Sequence, residues 1–292
     1  MSRIEKVLEK AAEMKESGRA PVAEKTFTQE PRSAFAGFQI DVPAVNPDNV
    51  DEHLVCITEP NSVAAEQYRK LRARVLKATA SNSQNAIMVT SPDMGEGKTI
   101  TSINLAVSIA NEIDHTVLLV DTDLRHPSIH GYLGIERGPG LSDCLTGKAE
   151  LSEVLIKTGI GKLVLLQAGT MVENTAELLS SESMKALLHE VKHRYKDRYI
   201  IFDSAPLLVT SDSIPISSYM DGVILVIQAS RTTPKAALHA ISQIKGSNIL
   251  GVVFNNVSKY LAKNLYPYYY LYNKGGYYKG TADSGGDKTN IP

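Results

Sequence analysis

The stretch Ala86-Ile-Met-Val-Thr-Ser-Pro-Asp-Met-Gly-Glu-Gly-Lys98-Thr99-Ile100-Thr-Ser-Ile-Asn104 decides the fold. An apolar run passes through a glycine-bearing loop into helix-compatible sequence, which is the strand–loop–helix context of a phosphate cradle. The Gly97-Lys98-Thr99 end fits the P-loop pattern, with Pro92 where the first glycine usually stands. Backbone donors of Gly95, Glu96, Gly97 and the helix start through Ile100 would face the β- and γ-phosphates of a nucleotide. Lys98 adds a mobile positive charge, and Thr99 places a hydroxyl on Mg²⁺. A Gly-Lys-Thr triplet alone is common. This one draws its weight from the strand before it and from acidic strand ends further on.

Thr116-Val-Leu-Leu-Val-Asp121 reads as a strand that delivers Asp121 and Asp123 to the carboxyl edge of a sheet. If that strand neighbours the P-loop strand, both carboxylates can face the γ-phosphate and its metal. Tyr199-Ile-Ile-Phe-Asp203 is a second buried strand ending in a carboxylate, the Walker B pattern, with Asp203 in the Mg²⁺ shell. Leu163–Gln167, Val223–Ile227 and Ile249–Phe254 repeat the apolar pattern, and a helix over Thr233–Gly246 opens at Pro234. Strands alternating with helices at this spacing predict an α/β protein, a P-loop NTPase fold with a largely parallel sheet flanked by helices. Asp212 either caps a short helix, the favoured reading, or belongs to a nucleotide-responsive loop. Asn255 and Asn256, just past the last strand, either read an adenine edge or make a turn.

Composition narrows the classes. Lys plus Arg number 31 against 32 Asp plus Glu, so nothing points to a general polycation, and no nucleic-acid partner is expected. Cys56 and Cys144 form no metal motif. No apolar run reaches membrane-spanning length, so the default expectation is a cytoplasmic protein. Residues 1–18 read as an amphipathic helix, 19–50 as a flexible linker with a low-grade edge segment near 50–59, 51–258 as the nucleotide-binding domain, and 259–292 as a flexible tail. Within a helix over 62–79, Glu66, Arg69 and Arg72 recur every three residues. Such a stripe is either a solvated ion-pair face or a set of intermolecular carboxylate–guanidinium contacts.

The tail carries Tyr260, Tyr266, Tyr268, Tyr269, Tyr270, Tyr272, Tyr277 and Tyr278 without strand or helix periodicity. Beside Lys263, Lys274 and Lys279 these rings could stack on bases. Next to a nucleotide site they also make a row of phosphoryl acceptors, each gaining about −1.5 to −2 charges when modified. Lysine, threonine and strand-end aspartates favour ATP or GTP phosphoryl chemistry over a dinucleotide oxidoreductase, whose site uses a tighter glycine turn and a ribose-binding acid. In that chemistry Thr99 and one or both of Asp123 and Asp203 position Mg²⁺, while Asp121 orients or deprotonates the acceptor, a reading favoured over a purely metal-organising role.

These residues resemble the bacterial protein-tyrosine autokinases of exopolysaccharide biosynthesis, and in particular the PEP-CTERM/exosortase-associated subtype. The resemblance spans roughly residues 55–280. Gly95-Glu-Gly-Lys98-Thr99 is similar to the family's Walker A motif, Leu118–Pro127 to its second acidic element, and Ile200-Ile-Phe-Asp203 to its Walker B. It implies ATP and Mg²⁺ as cofactors, Lys98, Asp121, Asp123 and Asp203 as catalytic groups, and Glu66, Arg69 and Arg72 as a subunit-contact helix. It also implies a ring, an octamer in relatives, in which one tail reaches a neighbour's site. A membrane-embedded chain-length or activator protein would recruit the chain to the inner face of the cell membrane. Two positions depart from the pattern. Met94 stands where proline is usual, and Ser204-Ala205-Pro206 replaces a Thr-Pro-Pro or Ser-Pro-Pro. The competing readings are a partitioning-type switch ATPase, whose early P-loop lysine is Asp93 here, and a nucleotide-responsive scaffold without turnover.

Overall fold

The computed structural model describes residues 45–80, 84–193 and 198–258. The expected N-terminal helix, most of the expected linker and the tyrosine-bearing tail lie outside them. Helix α1, Val63–Thr79, starts where Ser62 accepts a hydrogen bond from the Ala65 amide at 3.1 Å. Strand β1, Ala86–Thr90, follows, and the P-loop leads into α2, Lys98–Ala110. Next come β2, Thr116–Asp121, the short β3, Leu155–Lys157, and β4, Leu163–Leu166. Helix α3, Glu182–His193, leads to β5, Arg198–Asp203; α4, Ser213–Ser217, to β6, Gly222–Gln228; and α5, Pro234–Gln243, to β7, Ile249–Asn255.

The strands form a seven-stranded sheet in the order β3-β4-β2-β5-β1-β6-β7. All its pairings are parallel except β3 with β4. Parallel strands covered on both faces need apolar residues at every position rather than at alternate ones. That is why β1, β2 and β5 read as unbroken runs, and each is buried almost throughout. Ile87, Val89, Val117, Leu119 and Ile201 share one core with Ile103, Ala106 and Val107 of α2. Met88, Leu118 and Phe202, of opposite parity, are also fully buried and point to the other face. Helix α3 packs against β5 and buries Met184, Leu187, Leu188 and Val191, spaced i, i+3, i+4 and i+7.

Three local expectations change. The strand ending in Asp121 does not neighbour the P-loop strand, because β5 lies between them, with Asp121 opposite Asp203 and Val89 opposite the same Asp203. The site is therefore centred on Asp203. Residues 50–59 hold no edge segment but a helical turn, Val55–Thr58, fastened where the Cys56 amide donates to Asn104 Oδ1 at 2.9 Å. Residues 45–50, read with the linker, are part of the packed fold: Val45 is buried and its amide donates to the Thr158 carbonyl at 2.9 Å.

Candidate active site

The loop between β1 and α2 can turn only with glycine at two points. Gly95 and Gly97 have φ of +72° and +90°, and a Cβ on Gly97 would lie 2.0 Å from Asn255 Nδ2. The first-turn amides of α2, from Lys98 onward, have no acceptor inside the helix and face whatever occupies the loop. Glu96 is buried and holds the loop's shape. Its carboxylate accepts from the Asp93 amide at 3.0 Å and from the Thr232 hydroxyl, while its carbonyl accepts from Asn255 Nδ2 at 3.0 Å. Asn255 thus braces the cradle from behind. Asn256 is exposed in a left-handed turn with φ of 53°.

The floor is Asp203, with no solvent exposure. Thr99 donates to its Oδ2 at 2.7 Å and Ser102 to its Oδ1 at 2.9 Å. Lys98 Nζ lies 2.9 Å from Asp123 Oδ2 and 3.8 Å from Asp203 Oδ2. Burial pushes the Asp203 carboxyl above its ordinary value, opposed by Lys98 and the two hydroxyls. Lys98 is held above its ordinary value by Asp203 and Asp123, which outweigh its own burial.

Asp121 is bound into the loop that it opens. It is buried, its Oδ1 accepts from the Asp123 amide at 3.2 Å, and its Oδ2 from the Ser128 and Ile129 amides at 3.2 and 3.3 Å. Burial, reinforced by Asp203, pushes it up to about 8. It folds the 121–129 loop, whereas Asp123, Lys98 and Thr99 line the open cavity of about 200 Å³. Gly95, Gly97 and Ile100 line it too, together with His126, Ser128 and Tyr132, which the motifs had not singled out.

Asp212 stands at the N-cap position of α4, but its side chain makes no capping hydrogen bond. It accepts from Arg125 Nε at 2.8 Å, Arg125 Nη2 at 3.1 Å and the Thr175 hydroxyl at 2.8 Å, and so joins three segments around the site. On α1, Arg69 pairs with Glu66 at 2.6 Å and donates to the Pro60 carbonyl at 2.8 Å, on the exposed side of the helix. Arg72 instead turns inward. It donates to the Ser108 carbonyl at 2.8 Å, and its Nε lies 2.9 Å from Glu112, too poorly aligned for a hydrogen bond.

The site's groups suit a Mg²⁺-nucleotide. Inward-facing amides and Lys98 are groups that phosphate oxygens accept from, and a hydroxyl beside a buried carboxylate is an oxygen donor set of the kind Mg²⁺ accepts alongside substrate phosphates. No helix among the described residues is long and apolar enough to cross a membrane.

A family model described as an AAA domain matches residues 84–250. The chain is 33% identical over 237 residues to tyrosine-protein kinase YwqD of Bacillus subtilis, covering 80% of this chain and 94% of that one. It is 34% identical to tyrosine-protein kinase CpsD of Streptococcus pneumoniae, over 72% of this chain and 92% of that one. The solved kinase domain of the Escherichia coli tyrosine kinase ETK superposes with a TM-score of 0.65 at 29% identity, covering 70% of this chain and 82% of that domain. The chain spans only 28% of the whole E. coli etk kinase. By fold, motif placement and these likenesses, the chain belongs to the bacterial protein-tyrosine kinases and is an enzyme of their P-loop type.

Proposed function

We propose that the protein transfers the γ-phosphoryl group of ATP to tyrosines of residues 260–278, in trans within an oligomer. The observation that carries this is the convergence of Lys98, Thr99, Asp123 and Asp203 on one cavity floor, in a chain that carries a row of phenols beyond its last strand. Thr99 and Asp203 would hold Mg²⁺, which when bound offsets charge on the β- and γ-phosphates. The amides of residues 95–100 orient the triphosphate, and Lys98 stabilises charge on the transferring group. The phenol oxygen bonds to the γ-phosphorus, the bond from that phosphorus to the bridging oxygen breaks, and ADP leaves. Asp123, which lines the cavity, would take the phenolic proton, and Asp121, which accepts from the Asp123 amide, would hold the loop that presents it.

Phosphorylation of the tail adds charge, weakens self-association and makes the assembly cycle, and that cycling would govern polymerisation and export of an exopolysaccharide. A membrane-embedded chain-length or activator protein would hold this cytoplasmic chain at the inner membrane face. The tail boundary at 259 rests on the change in sequence composition there, and the PEP-CTERM-associated subtype on the sequence resemblance; exosortase genes beside this gene would support the subtype. The exposed Glu66–Arg69 pair is the surface proposed for the ring.

Purified chain incubated with Mg²⁺-ATP and the activator's cytoplasmic segment tests the activity. Phosphotyrosine mapped to 260–278 and absent in Lys98→Met is the expected result. Robust ATP hydrolysis without phosphotyrosine, even with the activator, would assign the chain to the switch ATPases instead.

A further inference from the structure

Two of the large apolar side chains that stand exposed among the described residues line the cavity over the P-loop: Met94, 53% exposed, and Val209, 45%, with Leu208, 37%, next to Val209 in the chain. They come from two loops with separate tasks, the P-loop and the loop after β5. Those loops are fastened edge to edge, with the Leu207 amide donating to the Ser91 carbonyl at 2.9 Å and the Leu208 amide to the Pro92 carbonyl at 3.1 Å. Ser204-Ala205-Pro206 takes part in this fastening. Ser204 donates its hydroxyl to the Val89 carbonyl at 3.0 Å, and the carbonyl of buried Ala205 accepts from Thr90 at 3.0 Å and from Ser213 at 2.6 Å. Met94 and Val209 both line the cavity, which therefore has an apolar rim over a floor of Lys98 and Asp123.

A cradle for triphosphate alone has no use for an apolar rim. A phenol does, since its ring is apolar and its hydroxyl is polar at the far end. The geometry points to Met94 and Val209 as the subsite that grips the ring of the acceptor tyrosine, supplied by the 260–278 segment of a second copy, and turns its hydroxyl toward Asp123. The inference rests on the kinase reading above and adds the basis of acceptor choice. Two features of the sequence agree with it. Between 260 and 278 there is no serine or threonine, so phenols are the only side-chain hydroxyls offered there. Tyr266, Tyr268, Tyr269 and Tyr270 crowd into five positions, so one ring can replace another at the rim. Met94, an unbranched and flexible side chain, can adapt to rings arriving from different tail positions.

The test uses full-length donor kinase and, as acceptor, full-length Lys98→Met chain carrying a mass tag, so that only phosphotyrosine on the tagged chain is counted. Met94→Gln and Val209→Asn donors are expected to raise the KM for the tagged acceptor about tenfold while the KM for ATP stays within about twofold. Met94→Leu is expected to restore the unaltered acceptor KM. An unchanged acceptor KM in both polar variants overturns the subsite. So does an equal rise in the KM for ATP, which would place these side chains in nucleotide binding. An unaltered donor that hydrolyses ATP yet leaves the tagged acceptor unmodified overturns the kinase reading itself, and the subsite with it.

Discussion

Two aspartates are buried to the same degree beside this site, Asp203 at 0% exposure and Asp212 at 1%, and they are treated in opposite ways. Asp212 is saturated: a guanidinium grips both its oxygens and a threonine hydroxyl completes the set. Asp203 is given two neutral hydroxyls at close range, and its nearest cation stands off at 3.8 Å, closer to Asp123. Burial raises the Asp203 carboxyl because that compensation is incomplete. A buried acid short of positive charge is suited to take a cation from the ligand; one already paired with arginine is suited to hold loops together. The contrast separates machinery from scaffold without reference to any motif.

The largest effect is expected at Asp203. Asp203→Asn should lower phosphoryl transfer by about a thousandfold or more, since it removes charge from the Mg²⁺ position. The nucleotide-free fold should not suffer. With its folded value raised above the ordinary 3.8, Asp203 contributes stability that is fully present below that value and is lost as pH rises through the folded one. Thermal unfolding of Asp203→Asn should therefore occur at or above the wild-type temperature at pH 7, with the difference growing from pH 4 upward. A clear fall would show Asp203 to be scaffold after all.

The next largest effect is expected at the saturated aspartate. Arg125→Ala leaves a buried carboxylate with only Thr175 as a side-chain partner and should cost about 2–3 kcal/mol, measured by denaturant unfolding. Asp212→Asn should cost less, because the half-exposed Arg125 can return to water. The double variant should cost less than the sum of the two, as a double-mutant cycle would report.

The two arginines of α1 extend the same contrast to the surface. Arg72→Ala gives up an inward bond to Ser108 and should destabilise the monomer by about 1 kcal/mol, whereas Arg69→Ala should change it by less than about 0.5 kcal/mol. Loss of a large species on size exclusion in Arg69→Ala, with unfolding unchanged, would support the ring; a monomer in the unaltered protein would exclude it. The smallest effect concerns the thiols. Burial pushes both Cys56 and Cys144 up to about 11, so their alkylation at pH 8 should be on the order of 100-fold slower than in the unfolded chain.

What was legible in the sequence follows from the range of the interactions. Strands buried on two faces write themselves as unbroken apolar runs, Asp203 ends one of them, and Lys98 and Thr99 open the helix after the glycine loop, so the sheet and the floor could both be read. The insertion of β5 between β1 and β2 could not, because strand order leaves no local mark. Asp212 does stand at the N-cap position of α4, but its side chain pairs with Arg125, 87 residues away, which no local pattern shows. Ser102 escaped notice as a helix residue of no special type, although its place one turn after Thr99 on α2 is the spacing that puts both hydroxyls on the same carboxylate. For Asp121 and Asp123 the spacing gave the pair, but only the folded loop shows which one lines the cavity.

Titration with ATP, with and without Mg²⁺, tests most directly whether the ion and triphosphate meet between Thr99 and Asp203. The unaltered chain should bind ATP at least about tenfold more tightly with Mg²⁺ present, and Asp203→Asn should keep the Mg²⁺-free affinity while losing that enhancement. An enhancement of the same size in Asp203→Asn, or no ATP binding by the unaltered chain even beside its activator, would contradict the site as assigned.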